Sequence, residues 1–325
     1  MVEALPSPGA PSPARRTHRW LAALLALSAC SGDCGKPTTR PSPAEPPKPA
    51  FPPPMTVFDD FSSAELAPSR WTPKDSLRGF VDRMTAPQLA QVDRRVESGA
   101  LRMTSSLTGE TSPDRGTAVA HFRATMTEPR AVAALEATVT VHGVETTPCG
   151  AAPTFTFTRA TIGGLFFNSG LARGRPLVGD VLAVVGVSRR SDTSDPPNRL
   201  RAVAVVLSCR RPCYVFPSHL PAGRPPSEVV GMKEIGPIDV GQSTRLGLGW
   251  DRDGNRFVFW RDGRVAAEVS YPLADDAAPT IERRHLDVAH FVPRCEEGPP
   301  AQSRLDVSFD DVAVQLDAPV GSPSG

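Results

Sequence analysis

Apolar side chains recur along this chain in short bursts, not at helical spacing. Thirteen runs of alternating or β-branched character stand between turn-forming clusters: 57–61, 100–104, 117–124, 134–142, 154–159, 162–168, 180–188, 200–207, 244–250, 256–260, 264–271, 285–292 and 304–316. Side chains on a strand alternate between two faces, so each run reads as a β-strand and the chain as all-β. Val139, Val141, Phe155 and Phe157 alternate with Thr138, Thr140, Thr154, Thr156 and Thr158, the pattern of strands with one face buried and the other wetted. Asp-Gly pairs between the runs ending at Trp250 and Trp260 and the run beginning at Arg264 predict two tight hairpins, hence a meander. The first of these turns carries oxygen-bearing side chains at Asp251, Asp253 and Asn255, as a calcium loop does. Arg256 stands where an EF-hand needs glycine and Asp262 where it needs glutamate, which leaves the turn reading.

The amino end follows a different pattern. Arg15, Arg16 and Arg19 precede the apolar run 20–26 and the tetrapeptide Leu27-Ser28-Ala29-Cys30. A cationic start, an apolar segment shorter than the ~20 residues of a membrane span, and small residues before a cysteine predict a signal peptide over residues 1–29. The ending resembles the bacterial lipoprotein pattern, which makes Cys30 the lipidation site. Ser31, where inner-membrane lipoproteins often carry aspartate, points by the same resemblance to the outer membrane. The arginine pair lacks the remainder of a twin-arginine motif. Residues 30–54 read as a linker, since 36–54 contain nine prolines in nineteen positions and proline-rich chain is extended at about 3.1 Å per residue. No later segment approaches 18 consecutive apolar residues, so the membrane is expected as a partner only through the lipid anchor. One β-sandwich is expected over 55–316, followed by a disordered tail over 317–325.

Composition narrows the function classes. With 36 Lys+Arg against 35 Asp+Glu, a formal net charge of +1 supplies no long-range field for nucleic acid. Thirty-six prolines and 26 glycines with only 6% aromatics favour turn-rich β structure. Beyond Cys30, and Cys34 in the neck, four cysteines remain: Cys149, Cys209, Cys213 and Cys295. Export favours disulfides. The short interval between Cys209 and Cys213 suggests a local loop, with Cys149 and Cys295 as the long-range pair; zinc is the alternative, without a second knuckle nearby to complete it.

Val57-Phe58-Asp59-Asp60-Phe61 with Ser69-Arg70-Trp71, Glu97-Ser98-Gly99-Ala100-Leu101-Arg102-Met103, Leu246-Gly-Leu-Gly-Trp250 and the closing stretch from Leu305 to Val314 resemble, in this order, the concanavalin A-like lectin/glucanase superfamily. The resemblance implies a jelly-roll sandwich of two curved antiparallel sheets, with first and last strands adjacent and a groove suited to carbohydrate. It also implies a structural calcium at Asp310, the vicinity of Phe58 and Asp59, and Gly99. On the other reading Asp59, Asp60, Asp310 and Asp311 merely charge strand ends.

Laminarinase-like members carry Glu-x-Asp-x-Glu on a central strand. Here the nearest strand begins Glu136-Ala-Thr-Val-Thr-Val141. With that motif absent, and with no nucleophile elbow, zinc helix or phosphate loop, a non-catalytic, glycan-binding envelope protein is expected. A divergent carbohydrate hydrolase and a structural or protein-interaction module are the alternatives. Trp71, Trp250, Trp260, Phe166, Phe167 and Asn168 are the candidates for a sugar platform, with core packing as the competing role for each. His121, His142, His285 and His290 read as structural or surface residues, and the odd spacing of His285 and His290 places them on opposite faces of one strand. The stretch 212–237 reads as a groove border or as a stapled surface loop.

Overall fold

The computed structural model describes residues 50–72, 80–113, 116–150, 155–171, 177–210 and 227–316. Cys30, Cys34, Cys213 and the tail 317–325 lie outside them, as do the signal segment and most of the proline-rich arm. The described residues carry fifteen strands: β1 Thr56–Asp59, β2 Phe80–Met84, β3 Ala90–Glu97, β4 Ala100–Thr108, β5 Thr117–Thr125, β6 Val132–Thr147, β7 Phe157–Asn168, β8 Asp180–Arg190, β9 Arg199–Cys209, β10 Ser227–Asp239, β11 Ser243–Asp251, β12 Arg256–Arg261, β13 Arg264–Ser270, β14 Arg283–Pro293 and β15 Gln302–Leu316. The jelly-roll sandwich implied by the resemblance is the fold observed. One antiparallel sheet runs β13-β12-β11-β6-β15-β4-β3 with β1 beside β15, and the other runs β10-β9-β8-β7-β14-β5-β2. First and last strands pair through Thr56 opposite Val314.

Three chain crossings from one sheet to the other stack side by side. The neighbours β6, β15 and β4 in the first sheet continue into the neighbours β7, β14 and β5 in the second. The middle crossing, between β14 and β15, is tied to both others. Cys295 forms a disulfide with Cys149 of the β6–β7 crossing, with Cα atoms 5.5 Å apart. Its backbone also exchanges hydrogen bonds with the β4–β5 crossing: Cys295 N donates to Glu110 O at 3.0 Å and Ser112 N donates to Cys295 O at 2.8 Å. Beneath the crossings a small core of Leu107, Ala118, Ala120, Phe122, Val292 and Ala301 packs around the disulfide.

Alternation sets the main core. Leu135, Ala137, Val139 and Val141 of β6 point between the sheets, as do Leu246 and Leu248 of β11 and Val185 and Val187 of β8. Threonines at the odd-even boundary of β7 invert the expected pattern. Thr156 and Thr158 are fully buried, Phe157 is half-buried and Phe155 is 45% exposed. The inward positions there are polar because Thr158 Oγ1 meets His290 Nδ1 at 3.1 Å and Thr156 Oγ1 donates to Thr147 O at 2.7 Å. His290 is fully buried between the sheets; its Nε2 meets Ser105 Oγ of β4 at 2.8 Å and its Nδ1 meets Ser303 Oγ of β15 at 2.8 Å. The two hairpins of the meander form as expected, with Asn255, Asp262 and Gly263 at φ 49°, 50° and 74°, as tight turns between twisted strands require. Asp251 serves its turn by accepting from Gly254 N at 3.1 Å and Arg256 Nε at 2.8 Å.

Leu-Gly-Leu-Gly in β11 has a packing cause. A Cβ on Gly247 would sit 2.2 Å from the Trp260 ring, and one on Gly249 would sit 2.7 Å from Phe51. Trp260 lies flat across these glycines on the outer side of its sheet, capped by Phe51 at 6.4 Å between ring centroids. The chain just before β1 therefore packs on the sandwich.

Candidate functional site

Of the six aromatic and amide candidates for a sugar platform, four serve the interior. Trp71 and Trp260 are fully buried. Trp71 Nε1 donates to Asp59 Oδ2 at 2.6 Å, and Trp260 Nε1 donates to Glu136 Oε2 at 2.9 Å. Each indole N–H is satisfied by a carboxylate, the usual condition for burying tryptophan. Phe167 is buried and stacks on Trp250 with centroids 5.4 Å apart. Asn168 shapes the β7–β8 connection, donating to Val178 O at 2.9 Å and Asp180 Oδ1 at 2.7 Å while accepting from Gly170 N at 2.8 Å. Phe166 and Trp250 line a hollow of about 440 Å³ at one end of the sandwich, together with Arg252, Arg284, Asp275 and Glu282. Trp250 is only half-buried, but its faces are engaged: Phe167 lies under one, the Arg252 guanidinium is 5.8 Å from the ring, and its Nε1 donates to Tyr271 Oη at 2.7 Å.

The more unusual chemistry lies on the outer face of the second sheet, at the middle of β5, β14 and β7. Phe122, Ala124, Ala160, Ile162, Leu286 and Val288 face the core, so the residues between them face outward. The register puts Ala289 opposite His121 and Arg159, Asp287 opposite Arg123 and Thr161, and His285 opposite Thr125 and Gly163. Nine positions thus make a patch three strands wide and three rungs long, roughly 10 by 13 Å. Outward strand positions are ordinarily wetted, yet Asp287 is 1% exposed, Arg123 6%, His285 4% and Thr161 1%. Phe157 and Phe291, centroids 5.6 Å apart, border the patch on the next rung. His121 meets the Phe291 ring edge-on at 5.6 Å, and the Arg159 guanidinium is 5.7 Å from the same ring.

Asp287 is the hub. His121 Nδ1 lies 3.0 Å from its Oδ2, Arg123 Nε 3.0 Å from its Oδ1 and Arg159 Nη2 3.9 Å from its Oδ2. The Arg123 contact has ion-pair distance without hydrogen-bond alignment, since Nε has no hydrogen-bond partner. Burial works to raise the Asp287 carboxyl, but Arg123 and then His121 hold it well below its ordinary value. Burial pushes His121 down to about 4, and drives His285 well below its ordinary value with Arg123 adding to the effect. Burial also lowers Arg159. Both histidines are therefore neutral near pH 7, and two guanidiniums face one carboxylate.

A retaining glycosidase needs two carboxylates about 5–5.5 Å apart. Asp287 is the only acidic residue in β5, β7 and β14. Glu136, the acid heading the central strand of the other sheet, is occupied by Trp260 and by Arg245 Nη2 at 2.6 Å. His285 and His290 fall on opposite sides of β14, as their spacing predicts. His142 Nε2 meets Ser308 Oγ at 2.9 Å.

Cysteine pairing follows the long-range expectation at Cys149–Cys295. Cys209 is also disulfide-bonded; Cys213 lies outside the described residues. No cluster of three or more His, Cys, Asp or Glu side chains suited to a metal occurs among the described residues. At the calcium position implied by the resemblance, burial raises the Asp310 carboxyl, the hydrogen bond from Asp311 N offsets part of this, and the charges of Asp311 and Asp60 add to the rise. Gly99, at φ +76°, lies close to the Asp60 carbonyl. The Asp59 carboxylate is already taken by Trp71, Phe61 N and Arg70, so only its backbone carbonyl is left to serve a cation.

No family model and no curated protein matches the chain. Among solved structures it is similar to a GlcNAcα1-4Gal-releasing endo-β-galactosidase from Clostridium perfringens, at 9% identity and TM-score 0.43, covering 84% of this chain and 64% of that one. It is also similar to the catalytic domain of an endo-1,3-β-glucanase from Thermotoga petrophila, at 11% identity and TM-score 0.39, covering 81% and 98%. A third is the Emp46p carbohydrate recognition domain, at 10% identity and TM-score 0.35, covering 78% and 96%. The chain spans less than two thirds of the galactosidase. None of the three carries a residue role or a ligand over to this chain.

Burial holds His290 down to about 3 as it holds His121 near 4. In the unfolded chain both take up a proton near their ordinary value of 6.5, so between that value and the folded ones the unfolded state binds more protons. Stability is full above about pH 6.5 and falls as the pH drops toward 4. Urea unfolding at pH 7.5, 5.5 and 4.5 should give successively lower midpoints, with a shallower decline in His290→Asn; a flat profile would contradict the buried, neutral state of these rings.

Proposed function

We propose that this is an exported lipoprotein whose β-sandwich binds a glycan without cleaving it, on the outer face of the second sheet. The observation that carries this reading is the polar floor of β5, β14 and β7 bordered by the Phe157–Phe291 ring pair. Sugars are recognised by aromatic faces under the ring and by fixed donors and acceptors for the hydroxyls, and both kinds of group stand side by side here. The lone carboxylate supports binding over hydrolysis, because Asp287 is ionised, ion-paired and without a second acid on its strands to act as proton donor. A second reading, a divergent hydrolase, draws on Asp275 and Glu282 around the end hollow.

Lipidation at Cys30, after removal of residues 1–29, and the proline-rich stretch within 30–54 place the sandwich of 55–316 off a bacterial membrane surface, with the outer membrane favoured by Ser31. Calcium belongs to the same reading as a structural ion at Asp310, joined by backbone oxygens near Phe58, Asp59 and Gly99. Crowding of Asp310 by Asp60 and Asp311 supports it, since a divalent cation relieves like-charge repulsion.

Three outcomes are expected. The full-length protein, exported and extracted in mild detergent, binds members of a broad glycan array and releases no reducing ends from them. Phe157→Ala weakens that binding about tenfold, in line with loss of an aromatic contact; turnover of any polysaccharide overturns the non-catalytic reading, and silence on the array overturns the glycan reading in favour of a structural envelope role. Cys30→Ala moves the protein from the membrane to the soluble fraction and removes the acyl mass from its amino-terminal peptide; an unchanged distribution overturns the anchor. Millimolar calcium raises the melting temperature relative to chelator and does so less in Asp310→Asn, whereas identical melting in calcium and chelator overturns the metal.

A further inference from the structure

The patch on β5, β14 and β7 holds more donors than it uses. Nine buried side-chain nitrogen or oxygen atoms among the described residues have no hydrogen-bond partner, and six of them fall here: Arg123 Nε and Nη1, Arg159 Nε, Thr125 Oγ1, Thr161 Oγ1 and His285 Nδ1. Native proteins rarely leave such atoms unpaired, and a concentration of them calls for a partner, whether water, an ion or a ligand. The charges agree. Arg123 and Arg159 bring two positive charges to Asp287, the one carboxylate on these three strands, both histidines being neutral, and Arg283 adds positive charge one rung beyond His285, in surroundings that screen charge poorly.

We propose that this patch binds the oxyanion, a carboxylate or a sulfate, of an acidic sugar unit, with Arg123 and Arg159 as its charged contacts and Thr161 and His285 completing its hydrogen bonds. The inference rests on the glycan reading above and names the class of sugar. Guanidinium forks match the geometry of planar and tetrahedral oxyanions. Ala289, on the rung of His121 and Arg159, is the smallest side chain of the patch, while at Gly163 the Ala183 carbonyl and Val184 already occupy the space a Cβ would take. The way in is from the rung of Arg159 and His121, whose side chains keep 17% and 13% of their surface exposed, beside the ring of Phe291. The chain's near-zero net charge gives no general attraction to polyanions, so preference for an acidic sugar arises from these contacts.

The test is calorimetric titration of the full-length protein in detergent with three probes of equal length: oligogalacturonate, a sulfated oligosaccharide and a neutral β-glucan oligomer. Thermal shift with sodium sulfate and sodium acetate, against chloride at equal ionic strength, runs in parallel. The expected result is tighter binding of at least one acidic oligomer than of the neutral one, weakened tenfold or more in Arg159→Gln and partly retained in Arg159→Lys. Arg159 is the variant of choice because Asp287 keeps its closer partners, Arg123 and His121; Thr161→Val is the second variant and should weaken the same ligand by a smaller factor. Equal binding of acidic and neutral oligomers, indifferent to Arg159→Gln, overturns the oxyanion site and leaves glycan binding standing. Stabilisation by sulfate or acetate that Arg159→Gln removes, with no oligosaccharide bound, keeps the oxyanion site and overturns the glycan reading. No response to any probe overturns both.

Discussion

The stacking of three inter-sheet crossings is the constraint on which the rest of this structure depends. The last two strands, β14 and β15, occupy central places in the two sheets, so neither sheet is continuous until the end of the chain is in position. The disulfide between Cys149 and Cys295 joins the crossing that enters these strands to the neighbouring one, across a sequence separation of 146 residues. By the chain-entropy estimate, closing so long a loop removes on the order of 5 kcal/mol of unfolded-state freedom. The hydrogen bonds of Cys295 to Glu110 and Ser112 extend the same tie to the third crossing. Everything outward of this seam, including the meander β11–β13 and the edge strands, adds to a sheet whose centre has been set.

The seam also decides which polar groups are buried. His290 bridges β4, β7 and β15 through three hydroxyls, which lets an imidazole sit between the sheets without losing hydrogen bonds. One turn of the pleat away, on the opposite face of β14, Asp287 gathers His121, Arg123 and Arg159. A buried carboxylate is tolerated only when paired, and Asp287 is paired closely enough to remain ionised. The guanidiniums around it are not equally satisfied. That imbalance gives the outer face of the second sheet its chemical character and distinguishes it from the first sheet, where Glu136 is fully occupied by Trp260 and Arg245.

Strands buried on at least one face were legible as runs of alternating residues, and the turns of the meander were legible because positive φ favours Asn, Asp and Gly, here Asn255, Asp262 and Gly263. The strands that escaped the pattern, β2, β3 and β10, are all edges. An edge strand has half its hydrogen bonds and much of its surface in water, so β3 reads Asp-Arg-Arg in its middle and β10 carries Lys233, Glu234 and Pro237, the last at a register shift. The aromatic candidates were less legible. Tryptophan signals a large contact area without saying with what, and Trp71 and Trp260 spend theirs on Phe58, Phe61, Phe51 and two glycines. The patch left a faint trace in the sequence: Arg283, His285 and Asp287 stand at period two in an apolar run, as do His121, Arg123 and Thr125. Polar residues at strand spacing mark one face, but they do not tell whether that face meets water.

The sequence by itself determined the all-β class, the hairpins and the absence of a laminarinase-type acid row, because each of these follows from spacing along one segment or from residue chemistry alone; it suggested the Cys149–Cys295 pair, which the assembled fold decided. Only the tertiary structure decided which strands are neighbours, and with that the site. Arg123, Arg159 and Asp287 lie on three strands separated by tens of residues, and they meet because β14 is inserted between β5 and β7 in one register. A shift of β14 by one residue would turn Asp287 and His285 toward the apolar core and leave Arg123 and Arg159 without their carboxylate. The burial that lowers the histidines and leaves donors unpaired is likewise a property of the assembled sheet, since desolvation depends on what surrounds a group in space and not on its neighbours in the chain.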